Sequence, residues 1–473
     1  MVRMSTLEEA RLVLVVGLGI SGRAASDKLL REGKKVRIND ASASGEVLDK
    51  AREYAARGAE VVLGHHRAEV LKGVDLVVVS PGVQGRLPLL REAEARGIPV
   101  WSEIELAWRF ARGPLVAVTG TNGKTTTVSM IAAILKREGM AAVAAGNIGR
   151  PLIAAVEEAG PGAPLVVEVS SFQLYYIHTF RPRVSVLLNI AEDHFDWHAD
   201  LEDYVASKSR IWMNQRGEDY VVCNLDDPLC LRAVEGAAAK MVYFSRSEKE
   251  EAEVFLREGV LCYRASLHNL ESREPWPIMR ADELALPGEH NLENAMAAAA
   301  AAMALGVSAQ GAGEALRGFR GLPHRLQMVG EVGGVRFCDD SKATNPHAAA
   351  RALSAFAEPL LVILGGRNKG LPFEQLAEML GERSREGGLR MVYAVGEAAE
   401  EIATALAVVR PPLPVRRMDR LEEVFADLPG RARPGDVVLF SPACASFDRY
   451  RDYKERGRHF QQLVDEYRRT VHG

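Results

Sequence analysis

Residues 116–127 read VAVTGTNGKTTT, an apolar run that turns through glycine into a lysine and three threonines. A loop of this kind between a buried strand and a helix offers backbone N–H groups to phosphate oxygens, and the helix adds the positive end of its dipole. Lys124 can reach the β- and γ-phosphates, and the Thr125 hydroxyl can ligate Mg²⁺. The spacing is a shortened form of the strict phosphate-loop pattern: Gly120 lies three positions before Gly123, and Val118 stands where the strict pattern has glycine. The chemistry expected here is binding of a nucleoside triphosphate.

Two further clusters bear on that loop. Glu168 ends an apolar run in VVEVSSFQL, the position where α/β sheets carry ligands, and it suits a metal or a metal-bound water. The string NIAEDHFDWH follows another strand-like run and offers Glu192, Asp193, His194, Asp196 and His198. A hard cation takes such oxygen ligands and tolerates one histidine. Near the N-terminus, Gly17, Gly19 and Gly22 in VVGLGISG follow a strand and open a helix, with Asp40 at the end of the next strand. That is a dinucleotide fingerprint, and it serves NAD and a nucleotide diphosphate equally because pyrophosphate is common to both. Ser80-Pro81-Gly82 makes another turn facing the same edge.

The elements that would position these groups alternate. Strand-like runs at 11–16, 35–39, 61–63, 76–79 and 99–100 flank a helical pattern over 21–32. A second series has strands at 114–119, 141–144, 165–169, 184–188 and 220–223 and helices at 125–138, 291–305 and 311–319. A third has strands at 336–338, 359–364, 390–395 and 437–440. The stretch 248–277 reads as a small antiparallel insert. Strands alternating with helices imply parallel sheets with right-handed crossovers, so the fold class is α/β in three consecutive units, 1–102, 103–321 and 322–473.

Composition removes several classes. The 473 residues are 47% hydrophobic and 26% charged, with a net charge of −4, so the chain can bury cores and is not disordered. No apolar run approaches the length of a membrane span, and there is no basic tail for nucleic acid. The five cysteines are scattered without metal-ligand spacing, and the polar residues 1–9 do not read as a signal peptide; a cytosolic protein with free thiols is expected.

Nine strings taken together identify a resemblance: GTNGKTTT, EVSSFQL, NIAEDHFDWH, YVASKSRI, GEHNLENAMAA, LPHRLQ, DDSKATNP, GGRNKG and SPACASFDRYRDYKERG. The chain resembles the Mur ligases, ATP-dependent amide ligases that build the peptide stem of peptidoglycan, over nearly its whole length. DDSKATNP and SPACASFD are similar to the members that add D-glutamate. The resemblance implies a Rossmann-like N-terminal domain for a uridine diphosphate substrate, a central P-loop ATPase-like domain and a C-terminal Rossmann-like domain.

It also implies roles. Gly120, Thr121, Asn122, Gly123, Lys124, Thr125 and Thr126 would hold ATP phosphates, with Asn291, Arg325 and Asp340 at its adenine and ribose end. Gly19, Ile20, Ser21, Asp40, Ser80, Gly82, Asn147 and Ser170 would hold the UDP substrate. Lys342, Thr344, Ser446 and Tyr453 would cradle D-glutamate. Thr125, Glu168 and His194 would ligate two Mg²⁺ ions together with Lys208, which matches a carbamylated (N6-carboxylated) lysine; from the string ASKSR alone Lys208 looks like a solvated helix lysine. Lys124, Glu168, His194 and Lys208 form the implied catalytic set. Arg367 and Asn368 depart from some relatives, whereas Lys369 fits. The implied reaction joins D-glutamate to UDP-MurNAc-L-Ala through an acyl phosphate, in a cytoplasmic monomer with no nucleic-acid or membrane partner. The rivals are a sister ligase using another amine, a non-catalytic nucleotide-binding protein and an NAD-dependent oxidoreductase.

Overall fold

The computed structural model describes residues 7–83, 87–147, 149–191, 197–264, 274–286, 288–368 and 370–472. Three sheets organise them. The first contains β1 (Leu12–Val16), β2 (Lys35–Asp40), β3 (Glu60–Leu63), β4 (Leu76–Val79) and β5 (Val100–Ser102) in the order β3-β2-β1-β4-β5, all parallel. β1 is LVLVV and almost wholly buried, the signature of a strand covered on both faces by crossover helices.

The second sheet is built from β6 (Leu115–Thr119), β7 (Val143–Gly146), β8 (Leu165–Glu168), β9 (Val184–Leu187), β10 (Tyr220–Asn224), β11 (Lys240–Ser245), β12 (Ala252–Arg257), β13 (Val260–Tyr263) and β14 (Trp276–Arg280). Its order is β14-β13-β12-β11-β10-β9-β6-β8-β7. The pairs β12/β13 and β13/β14 are antiparallel, as expected for 248–277, but the segment is no separate insert. β12 pairs in parallel with β11, so the hairpin prolongs the sheet from an edge that would otherwise lie open. The strand expected at 141–144 sits at Val143–Gly146, because the preceding helix is closed by a turn at Gly139 (φ 78°), whose N–H and that of Met140 return to Lys136 and Leu135.

The third sheet has β15 (Gln327–Val332), β16 (Val335–Asp339), β17 (Leu360–Gly365), β18 (Leu389–Val395), β19 (Val415–Met418) and β20 (Val437–Ala443) in the order β15-β16-β20-β17-β18-β19, with only β15 antiparallel. Two compact units divide the chain: residues 285–291 and 320–473 form one around the third sheet, and the remainder form the other around the first two. In the larger unit one apolar cluster runs through both sheets, from Val13 and Ile38 through Ile104 to Leu115, Ile153 and Phe180. In the smaller, apolar clusters cover each face of the sheet. Among the described residues, no helix is long and apolar enough to cross a membrane.

Candidate active site

β6 lies between β8 and β9, so the phosphate loop leaves the sheet with Glu168 at the end of one neighbour and residues 188–198 following the other. Gly123 has φ 83° and precedes the helix Lys124–Arg137; a Cβ there would meet Asn294 Oδ1 at 2.1 Å, so glycine is required on both counts. Asn189 pins the loop, its Oδ1 accepting from Asn122 N at 2.8 Å and its carbonyl from Thr121 N at 2.9 Å. Lys124 Nζ donates to the carbonyls of Gly120 and Thr121 at 2.8 and 2.9 Å. Lys208, on the helix Leu201–Ser209, is not the solvated lysine its string suggests: it is 1% exposed, because it faces the phosphate loop, donates to that same Gly120 carbonyl at 2.9 Å and stands 4.4 Å from the Tyr204 ring centroid.

Thr125 Oγ1 donates to Glu168 Oε2 at 2.6 Å, and Asn147 Nδ2 reaches Glu168 Oε1 at 3.4 Å. A hydroxyl and a carboxylate side by side at a strand end are hard oxygen donors of the type Mg²⁺ prefers. An ammonium is no ligand, so Lys208 fits a metal only as a carbamate. His194, with Glu192, Asp193 and Asp196, lies outside the described residues, as does Lys369. Among the described residues, no three His, Cys, Asp or Glu side chains converge. His198 is not free to bind an ion. It is 2% exposed, with Nε2 2.9 Å from Ser171 Oγ and Nδ1 3.3 Å from Asp203 Oδ2, tying the turn after Glu168 to the helix that bears Lys208.

A cavity of about 620 Å³ opens above the carboxyl ends of the first sheet. Gly19, Ile20, Ser21, Asp40, Ser80, Gly82 and Asn147 all line it, together with Gly17 and His66. Ser170 is not part of this lining; it caps the helix Ser171–Tyr175, accepting from Gln173 N. Asp40 shapes the glycine loop, with Oδ2 accepting from Leu18 N at 2.7 Å and Oδ1 from Ser42 N at 2.8 Å. Gly22 packs so tightly that a Cβ would lie 1.8 Å from the Gly17 carbonyl oxygen. Asn147 belongs to both neighbourhoods, the cavity and the Glu168 carboxylate.

In the smaller unit, β16 and β20 are neighbours, and the expected residues Lys342, Thr344, Ser446 and Tyr453 follow their carboxyl ends. Lys342 Nζ sits 4.1 Å from the Tyr453 ring centroid, and Ser446 is buried beyond the end of β20. Asp340 is buried as well: Oδ2 accepts from Ser441 Oγ at 2.7 Å and Oδ1 from Leu326 N at 3.2 Å. Burial pushes its carboxyl up to about 7, against those hydrogen bonds and nearby Arg325. Asp339 behaves oppositely. Burial works against its charge, but hydrogen bonds from His324, Ser341 and Gln461 outweigh that and hold it below the usual range. Arg456 is buried, which lowers its pKa to about 10, and ties the ends of both strands by donating to the carbonyls of Ser341 and Cys444 at 2.9 and 3.0 Å. Asn189, Asn294, His324 and Arg456 were not singled out from sequence. Each stood inside or beside a quoted string, but its partner is remote in the chain.

Three family models match consecutive stretches: the Mur ligase MurD-like N-terminal domain over residues 11–102, the Mur ligase middle domain over 118–302, and the Mur ligase glutamate ligase domain over 324–444. A UDP-N-acetylmuramoylalanine–D-glutamate ligase of Pelotomaculum thermopropionicum is 43% identical over 452 residues, covering 96% of this chain and 97% of its own. The chain belongs to the Mur ligase family. A ligase of the same description from Geobacter metallireducens is 41% identical over 454 residues, covering 96% of this chain and 97% of its own. Among solved structures, a pseudomurein peptide ligase type C from Methanothermus fervidus aligns with a TM-score of 0.57 at 17% identity, covering 96% of this chain and 99% of that one. UDP-N-acetylmuramate-alanine ligase from Thermotoga maritima aligns at 0.56 with 20% identity, covering 98% and 100%. These show the fold, the three-domain α/β architecture of Mur ligases. In this Mur ligase the two departures in GGRNKG are engaged locally: Arg367 pairs with Glu397 at 2.9 Å and Asn368 donates to Glu401 at 2.6 Å.

Proposed function

We propose that this Mur ligase joins the carboxylate of UDP-N-acetylmuramoyl-L-alanine to the amine of D-glutamate, converting ATP to ADP and phosphate, as a step of peptidoglycan synthesis. The observation that carries the reading is Asn147, which lines the 620 Å³ cavity and at the same time contacts Glu168, itself bonded to the phosphate-loop Thr125. A substrate seated in the cavity thus has its far end directed to the phosphate loop. The glutamate half of the reaction is supported by the relatives, about 40% identical over nearly the full chain, that bear that activity in their names.

In this reading a carboxylate oxygen attacks the γ-phosphorus, the bond to the β-phosphate oxygen breaks and ADP leaves. The glutamate amine then attacks the acyl carbon, sheds a proton, and phosphate departs. The loop 120–126 and Lys124 hold the nucleotide phosphates, so that attack is governed by positioning and charge. Bound Mg²⁺, two ions in this reading, would screen the phosphate and carboxylate charge, held by Thr125, Glu168, His194 and carbamylated Lys208. Lys342 supplies a point charge for a glutamate carboxylate, and Thr344, Ser446 and Tyr453 add directed polar contacts. Asn291, Arg325 and Asp340 serve the adenine and ribose end of ATP. Residues 1–102, 103–321 and 322–473 take the UDP substrate, ATP, and D-glutamate with ATP respectively. The enzyme acts as a cytoplasmic monomer, a setting that suits five cysteines all present as free thiols.

The experiment is phosphate release from ATP with UDP-MurNAc-L-Ala and, in turn, D-glutamate, L-alanine and meso-diaminopimelate. Release that needs both the nucleotide sugar and D-glutamate is expected. Release with another amine would move the chain to a sister ligase, and none with any amine would leave a binding protein.

A further inference from the structure

We propose that His66 reads the uracil ring of the nucleotide substrate, accepting the N3–H bond on Nε2 and so selecting uridine. The inference rests on the cavity being the site of the UDP substrate.

The hydrogen-bond inventory fixes the tautomer. Asn39 is buried at the end of β2, and its amide nitrogen donates to two carbonyls, Val62 O at 2.9 Å and His65 O at 2.8 Å. Its orientation is therefore set, and the atom 2.6 Å from His66 Nδ1 is the amide oxygen, which only accepts. Nδ1 must bear the hydrogen. A neutral imidazole protonated on Nδ1 has its lone pair on Nε2. Burial lowers the His66 pKa and favours that neutral form, although the charge of Asp40 pulls the other way. Nε2 makes no hydrogen bond to any described residue, and the side chain lines the cavity. The cavity thus has a fixed acceptor with nothing to accept.

The strand order says which part of the substrate meets it. The β5 edge of the first sheet adjoins the central sheet's connections, with Ser102 N donating to Tyr176 O and His178 Nε2 lying 2.8 Å from Val100 O. β3 is the opposite edge, and His66 follows it. The reacting carboxylate of a UDP-muramoyl substrate lies at its far end from the base. With that carboxylate drawn towards Asn147 and Glu168, the base falls at the His66 end. Uracil attached to ribose has one N–H, at N3, whereas cytosine has a lone pair there. Asp40 is another acceptor in the lining, but each of its oxygens already accepts one backbone N–H, so its lone pairs are half engaged, whereas the Nε2 lone pair is engaged by no described residue.

The test is calorimetric binding of UDP and of 3-methyluridine 5′-diphosphate to the full chain and to His66→Asn. Asparagine keeps a donor where Nδ1 stood, preserving the bond to Asn39, and removes only the Nε2 acceptor. The wild-type chain is expected to bind UDP about tenfold more tightly than the methylated nucleotide. In H66N, affinity for UDP should fall about tenfold and the methyl penalty should shrink to under about twofold. The KM for the UDP substrate should rise while that for ATP stays unmoved. Equal binding of both nucleotides by the wild-type chain would overturn the proposal without any variant. An undiminished methyl penalty in H66N would overturn it too, assigning the N3–H to another acceptor. No binding of UDP to the wild-type chain would overturn the cavity reading itself and this inference with it.

Discussion

Lys124 and Lys208 donate to one carbonyl oxygen, that of Gly120, at 2.8 and 2.9 Å, although they stand 84 positions apart. Two ammonium groups on one acceptor repel each other, and more strongly where one of them is buried. The arrangement is relieved by an anion between them, or by turning one ammonium into an anion. A nucleotide phosphate would meet the first condition at Lys124, and carbamylation of Lys208 would meet the second.

Replacing Lys124 by alanine should lower phosphate release by about a thousandfold or more, the scale of removing an aimed electrostatic stabiliser. The helix Lys124–Arg137 should survive, since the lysine is its first residue and the rest of the helix keeps its own hydrogen bonds and buried face, so the melting temperature is expected to stay close to that of the wild-type chain. A K124A chain with near-normal turnover would remove the phosphate-loop assignment.

For Lys208 the expected signature is chemical rescue. K208A should be inactive and should regain part of its rate in high concentrations of acetate or formate, which place a carboxylate where the carbamate stood. Carbon-13 NMR of the wild-type chain with labelled bicarbonate should show a carbamate carbon that K208A lacks. A rate that ignores added carboxylate, with no carbamate signal, would sink the idea.

The phosphate loop was legible because its chemistry is contiguous: strand, glycines, lysine and hydroxyls follow one another within residues 116–127. The glycine loop with Asp40 was legible for the same reason, and so was the strand end bearing Glu168; Asp340 entered only through the family resemblance. What escaped depends on pairing between distant residues. Asn189 and Asn294 look like ordinary loop and helix polar groups until the loop folds against them. The 248–277 segment read as an insert because its partner strand, Lys240–Ser245, precedes it and went unrecognised; pairing, not local alternation, makes it part of the sheet. His198 looked like a ligand in its string, yet folding turns it inward to Ser171 and Asp203.

Tyr453 and Lys342 give a prediction on the amine side. The ring lies 4.1 Å from the ammonium, a cation–π contact that the hydroxyl does not make. Tyr453→Phe should therefore keep the lysine in place and change the KM for D-glutamate by less than about threefold. Tyr453→Ala removes the ring contact and should raise that KM about tenfold or more with little change in the KM for ATP. Steady-state kinetics with the three substrates decides the matter. Equal KM values in the two variants would show that the ring does not organise Lys342.

Glu103 supplies a prediction about stability and pH. It is 1% exposed, its Oε1 accepts from Ile153 N at 2.7 Å, and Oε2 has no hydrogen-bond partner among the described residues. Burial pushes its carboxyl from 4.5 up to about 7. A carboxyl whose folded pKa lies above its unfolded value still holds its proton when the unfolded chain has lost its own. Folding then binds protons, and stability falls as pH rises from 4.5 towards 7. The loss, on the order of 1–3 kcal/mol, is complete above that window. Glu103→Gln removes the ionisation, so it should gain on the wild-type chain as pH rises and be the more stable of the two at pH 8. Ile153 lies in the first turn of the helix Leu152–Glu158, which follows the cavity residues Asn147, Gly149 and Pro151, so affinity for UDP in the wild-type chain should weaken over the same window. Unfolding of both chains at pH 5 and pH 8 measures the difference; the same gap at both values would mean that Glu103 does not titrate between them.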